Sequence, residues 1–162
     1  MARRVHVVDV VEARGYSFDG LRELLGLGPC SPASLVELPS DRGAAPEDAP
    51  GHVLKMLQEH GEPAKLLIPC NRLQRSGTRY AVARYGDGYC ERIGGFNCGY
   101  GGEGPYAVSK LVKDYLGLDA LIDDPDLYAA DRGFIENREY QNAAILLELC
   151  SGKAYITVYK LG

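Results

Sequence analysis

Arg79-Tyr80-Ala81-Val82-Ala83-Arg84-Tyr85, then Gly86-Asp87-Gly88, then Tyr89-Cys90-Glu91-Arg92-Ile93 is the stretch on which the fold turns. Tyr80, Val82 and Arg84 alternate with Ala81, Ala83 and Tyr85, which is the period of a β-strand. Gly86-Asp87-Gly88 is short and permissive enough to reverse the chain into the next run. Upstream, Ala64-Lys65-Leu66-Leu67-Ile68 is a further β-rich segment, separated from Arg79 by the turn signal Gln74-Arg75-Ser76-Gly77. Three strands joined by short turns make an antiparallel meander. The chain is therefore read as α+β, with a mostly antiparallel sheet.

The meander leads into Gly94-Gly95-Phe96-Asn97-Cys98-Gly99-Tyr100-Gly101-Gly102-Glu103-Gly104-Pro105, with six glycines in eleven positions from 94 to 104. Glycine loses more backbone entropy on folding than any other residue, so such a run implies a requirement for positive φ or for close approach to the backbone. Behind it, Val108, Leu111, Val112, Tyr115 and Leu116 recur at i, i+3, i+4, i+7 and i+8, one face of a helix. Pro105 suits the first helical position, where its missing N–H costs nothing, and Gly117 suits the end. The expected helix, Pro105 to Leu116, packs on one face of the sheet. A Gly-rich segment ending at a helix start can cradle an anion on backbone N–H groups; it can equally serve a tight turn. Gly99-Tyr100-Gly101-Gly102-Glu103-Gly104 satisfies the dinucleotide pattern literally, but no strand follows between Leu118 and Asp126, and the Walker ending is absent.

The run from Phe96 to Pro105 with its following helix resembles the DUF6166-like proteins, small bacterial domains in which an aromatic residue precedes Gly-Tyr-Gly-Gly-small-Gly-Pro and a Leu/Ala-rich helix. The resemblance covers about Thr78 to Gly117. The chain departs from it in having Cys98 where a large aromatic is expected and Glu103 where a small residue is usual. That family has no assigned activity, so the likeness implies an architecture and not a function.

The 162 residues, 46% hydrophobic and 25% charged, are enough for one domain (1–162) with a real core. A net charge of −4 argues against broad nucleic-acid binding, although Arg72, Arg75, Arg79 and Arg84 could form a local patch. No apolar run approaches 18 residues, and Met1-Ala2-Arg3-Arg4 leads into a stretch too short and too charged for a signal peptide, so no membrane association and a cytoplasmic chain are expected. Five cysteines, Cys30, Cys70, Cys90, Cys98 and Cys150, form an odd count without CxxC spacing. All five are expected to be unpaired, and no metal site or cofactor is expected.

Elsewhere, Val5 to Glu12 is nearly continuous in valine and reads as a strand covered on both faces, interrupted by His6 and Asp9. A short helix follows over Asp19 to Leu25, capped by Ser17 or Asp19. Five prolines between Pro29 and Pro50 make a long irregular loop at about 29–50, in which only Ser34 to Leu38 could be a short strand. From Ala49-Pro50 a helix runs to His60-Gly61. Its His52 and His60 lie near one face, but no carboxylate joins them at metal-ligand spacing in sequence, and both read as surface residues. Asp119, Asp123, Asp124 and Asp126 read as an exposed helix start. Ala143 to Leu149 could be helix or strand, and Ala154 to Lys160 is a strand.

The candidate site is the glycine loop. Cys98 and Glu103 are the candidate catalytic residues, Cys98 because nearby backbone N–H groups would favour its thiolate. Gly99, Tyr100, Gly101, Gly102, Gly104 and Tyr106 are the candidate ligand-binding residues, the tyrosines offering an apolar face with a polar tip. The reading that follows is a small cytoplasmic domain binding an anionic, phosphate-bearing molecule. A protein-interaction module without catalysis and a Cys98-dependent enzyme are the alternatives.

Overall fold

The computed structural model describes residues 4–27, 35–36, 49–70, 80–96, 103–116, 142–150 and 152–161. Strands β1 (Arg4–Glu12), β2 (Leu35–Val36), β3 (Pro63–Cys70), β4 (Tyr80–Tyr85), β5 (Cys90–Gly94), β6 (Ala143–Cys150) and β7 (Lys153–Lys160) join one sheet in the order β1-β7-β6-β3-β4-β5-β2. The described residues include the helices α1 (Phe18–Leu24), α2 (Ala49–His60) and α3 (Glu103–Lys110), the last continuing as a π-helical turn over Leu111–Tyr115.

The expected meander is present: β3 pairs antiparallel with β4 and β4 with β5, Leu67 facing Val82 and Val82 facing Arg92. Ala143–Cys150 resolves as a strand that pairs antiparallel with both β3 and β7. The two outermost pairings, β1 with β7 and β2 with β5, are parallel. Those pairings join segments far apart in the chain, and nothing in local alternation specifies their direction. The sheet is thus mostly antiparallel, as expected, with parallel edges.

Strand alternation sorts the core into two layers. Leu66, Ile68, Ala81, Ala83, Ile93, Ile145, Leu147 and Val158 face α2 and α3, where they meet Val53, Met56, Val108, Leu111 and Leu116. Leu67, Val82, Cys90, Ala144 and Leu146 face the other side, against Phe18 and Leu21 of α1. Val108, Leu111, Val112 and Leu116, expected to face the sheet, are all buried. The helix begins at Glu103 rather than Pro105. Pro105 still lies in the first turn, where backbone N–H groups have no intrahelical acceptor, so the proline is tolerated. Helix α1 starts at Phe18, its Gly20 N–H donating to the side chain of Ser17 (2.9 Å), the expected N-cap.

The expectation of five unpaired cysteines is corrected. Cys70 and Cys90 are disulfide-bonded, whereas Cys150, exposed at the end of β6, keeps its thiol. An odd count excludes only a fully paired set, and spacing cannot reveal partners brought together by the sheet. Disulfides persist mainly in oxidising compartments, so the cysteines no longer support a cytoplasmic location. Among the described residues, no helix is long and apolar enough to cross a membrane. The expected irregular loop at about 29–50 falls largely outside the described residues, as do Asp119, Asp123, Asp124 and Asp126.

Leu66 is fully buried and Leu24 is 63% exposed. Leu66→Ala is expected to lower unfolding free energy by about 2–5 kcal/mol, and Leu24→Ala to change it by less than about 0.5 kcal/mol, in denaturant titrations.

Candidate functional site

The hairpin between β4 and β5 carries the most unusual group in the protein. Its turn, Gly86-Asp87-Gly88, is closed by the Tyr85 N–H donating to the Tyr89 carbonyl (2.8 Å) and the Gly88 N–H donating to the Tyr85 carbonyl (3.0 Å). Gly88 has φ +93°, which an L side chain rarely adopts, so the reversal depends on glycine there. With the turn set, Tyr85, Tyr89 and Glu91 project toward α2, on the face that also holds Ala83 and Ile93. Ala83 lies directly opposite Glu91. Its small side chain leaves that place to the larger groups around it.

Glu91 is completely buried. An isolated carboxylate there would be heavily penalised by lost hydration, and three donors offset that penalty. The Tyr85 hydroxyl donates to Oε1 at 2.8 Å, and the Tyr89 hydroxyl to Oε2 at 3.3 Å. His52 Nε2 lies 3.1 Å from Oε1 and 3.2 Å from Oε2. Burial first, then the Glu91 charge, pushes the Tyr85 phenol far above its ordinary range, so it stays a donor. Because both neighbours of Nε2 are carboxylate oxygens, that nitrogen carries a hydrogen and donates it to them. Nδ1 has no partner among the described residues, and the side chain is 17% exposed. The result is an imidazole whose inner nitrogen is fixed by a buried carboxylate and whose outer nitrogen meets no partner among the described residues.

Two turns further along α2, His60 repeats the pattern at the surface. Its Nδ1 donates to Asp87 Oδ2 at 2.8 Å, and its ring stacks on Tyr89 with centroids 4.1 Å apart and planes 11° from parallel. Asp87 also accepts from the Tyr89 N–H (2.9 Å). That backbone bond, then the one from His60, holds the Asp87 carboxyl below its ordinary range. Both histidines, read from sequence as surface residues, in fact point at the hairpin. Each has the carboxylate that its own neighbourhood in sequence lacked, because β5 and the turn supply it from about 30 to 40 residues away. The available signal was Glu91 itself, a charged residue two positions before Ile93 and therefore on the inward face of a strand.

Of the residues expected to form the site, Cys98, Gly99, Tyr100, Gly101 and Gly102 lie outside the described residues. Glu103 and Gly104 are the first two residues of α3, and Tyr106 in its first turn is 53% exposed. Glu91 itself lies on β5, four residues, or about 13 Å, before Gly95. Among the described residues, no three His, Cys, Asp or Glu side chains are placed to hold a metal ion. Arg84 is half-buried on β4, and the other arginines of the suggested patch, 72, 75 and 79, lie outside the described residues.

Compared with family models, curated proteins and solved structures, the chain matches none.

Glu91→Ala would leave the Tyr85 hydroxyl and His52 Nε2 buried without an acceptor, and is expected to cost about 3 kcal/mol or more in denaturant unfolding. Tyr85→Phe, which removes one of three donors, is expected to cost about 1–3 kcal/mol. Asp87 binds its proton less readily folded than unfolded. Its contribution is therefore present above the unfolded pKa, about 4, and is lost as the pH falls through the lower folded value. Asp87→Asn is expected to flatten the stability curve below about pH 4 and leave its shape near neutrality unchanged.

Proposed function

We propose that the chain is a small-ligand-binding domain for an anionic molecule and that His52 is the side chain that meets the ligand. The observation that carries this reading is the orientation of His52. Glu91 fixes Nε2 from inside, and Nδ1 of this part-exposed side chain has no partner among the described residues. Carboxylate-held imidazoles of this kind are preorganised to exchange a hydrogen bond or a proton with one outside partner. His52 lies in the first turn of α2, where backbone N–H groups have no intrahelical acceptor and the helix dipole favours negative charge. The Gly-rich segment leaves the far end of the same strand that carries Glu91. Its suggested part in holding a phosphate belongs to this proposal, as does kinship with the DUF6166-like domains. If the bound molecule has a proton to yield, His52 Nδ1 is the group placed to take it, which would make the domain an enzyme of the acid–base class.

Exposed Tyr106 on α3 favours a second reading, a partner-binding module without chemistry. The two are separated by a thermal-shift screen against inorganic phosphate, nucleotides and phosphosugars. A ligand at 100 times its Kd is expected to stabilise the fold by about 2.7 kcal/mol, raising the melting temperature by about 5–10 °C. His52→Gln is expected to abolish that shift. No response to any anion, or an undiminished response in His52→Gln, overturns the proposal.

A further inference from the structure

The face of the sheet on which α1 packs carries a polar row of its own. Across the strands, Tyr155 of β7 is level with Glu148 of β6, Glu148 with Lys65 of β3, Lys65 with Arg84 of β4, and Arg84 with Cys90 of β5. These residues alternate with Leu147, Leu66 and Ala83, which meet α2 and α3, and so lie on the α1 side with Leu146, Leu67 and Val82. That is the opposite face from Glu91 and His52. Glu148, Lys65 and Arg84 are all half-buried, partly withdrawn from water yet still within reach of a solute.

Lys65 and Arg84 are two cations on directly opposed positions. Their Cβ atoms are about 5 Å apart at ordinary cross-strand geometry, and like charges so placed destabilise a sheet. Neither is ion-paired among the described residues. Lys65 has Glu148 on its other side, but Arg84 has no acid beside it. Its neighbours along and across the strands are Lys65, Cys90 and Val82, with Leu67 and Arg92 on the diagonals. Glu148 is two strand spacings from it, about 10 Å. Arg22 of α1 and Arg92 of β5 are better served: Arg22 Nε lies 3.5 Å from Asp19 Oδ1, and the Arg92 guanidinium lies 5.1 Å from the centre of the Tyr80 ring. Arg84 Nε, by contrast, has no solvent contact and donates to no acceptor among the described residues. A buried cationic N–H without an acceptor loses its hydration and gains nothing in return.

We infer that Lys65 and Arg84 form a further binding site, on the α1 face, for the carboxylate group of a small molecule. Arg84 offers Nε–H and a terminal N–H to the two carboxylate oxygens, the planar fork that a guanidinium presents and an ammonium does not. Lys65, level with it on the next strand, adds a third donor. The bound group separates two cations that otherwise repel, and it supplies the acceptor that Arg84 Nε lacks. Charge selects a carboxylate over a phosphate. Glu148, Lys65 and Arg84 sum to one positive charge, which a carboxylate cancels, whereas a phosphate dianion leaves the row negative and is repelled by Glu148. The site is independent of His52, which lies across the sheet.

The test is proton–nitrogen correlation NMR of the isotopically labelled full chain near neutral pH. The Arg84 Nε–H signal, identified by its absence from Arg84→Lys, is followed against sodium acetate and sodium phosphate, with sodium chloride at matched ionic strength as the baseline. Acetate is expected to move that signal saturably with a Kd of about 1–10 mM, and phosphate to bind more weakly. Lys65→Met, or Lys65→Gln if the first variant does not fold, is expected to weaken acetate binding about tenfold. Lys65→Arg, which keeps the cation, and His52→Gln are expected to retain it. No saturable movement beyond that of chloride overturns the site, as does an undiminished response without the Lys65 cation or a response lost in His52→Gln. Tighter binding of phosphate than of acetate overturns the assignment to a carboxylate.

Discussion

The carboxylate of Glu91 is the constraint on which this side of the fold depends. A charge with no solvent exposure is tolerated only where its donors are already in place, and these come from three separate pieces of backbone: β4, the β4–β5 turn and α2. Hydrophobic contact can hold α2 over the sheet but does not choose its rotation or its height. Val53 and Met56 could slide by a fraction of a turn with little loss, whereas His52 Nε2 must meet two oxygens at 3.1 and 3.2 Å. Glu91 therefore converts a non-directional packing into one register. The His60–Asp87 bond and the His60–Tyr89 stack fix the other end of the same helix.

The turn between β4 and β5 is where these constraints meet the backbone. Asp87 accepts from the Tyr89 N–H and from His60, and the Gly86 N–H donates to the Glu62 carbonyl at 2.7 Å. The hairpin tip is thus tied to the end of α2 and to the entry of β3 by hydrogen bonds rather than by apolar burial. Exposed hydrogen bonds contribute less individually than buried ones. Their effect here is geometric: they hold Tyr85 and Tyr89 at the angles from which both hydroxyls reach Glu91.

Much of the fold was legible locally. Alternation placed Ala81, Ala83 and Tyr85 on one face and Val82 on the other, and the period of Val108, Leu111, Val112 and Leu116 identified the buried face of α3. What was not legible depends on contacts distant in sequence. Residues 143–149 are apolar almost throughout, which suits a buried helix as well as a strand between two others, and only pairing with β3 and β7 decides it. The parallel direction of β1 is likewise a property of the assembled sheet. The candidate site was missed for the same reason, because neither histidine had its carboxylate within one turn of α2.

Glycine richness drew attention to the segment after β5, yet it marks only where the backbone is unusual. The buried acid lies on the same strand, in a run whose alternation reads as ordinary. A glycine can be needed for a turn with no ligand present, as Gly88 is, and so a glycine count does not distinguish turning from binding. A buried glutamate is harder to explain by stability alone, because an apolar residue of similar volume with apolar neighbours would carry no desolvation penalty. What the carboxylate adds that an apolar side chain could not is direction, since it holds the His52 ring by Nε2 in one orientation on α2.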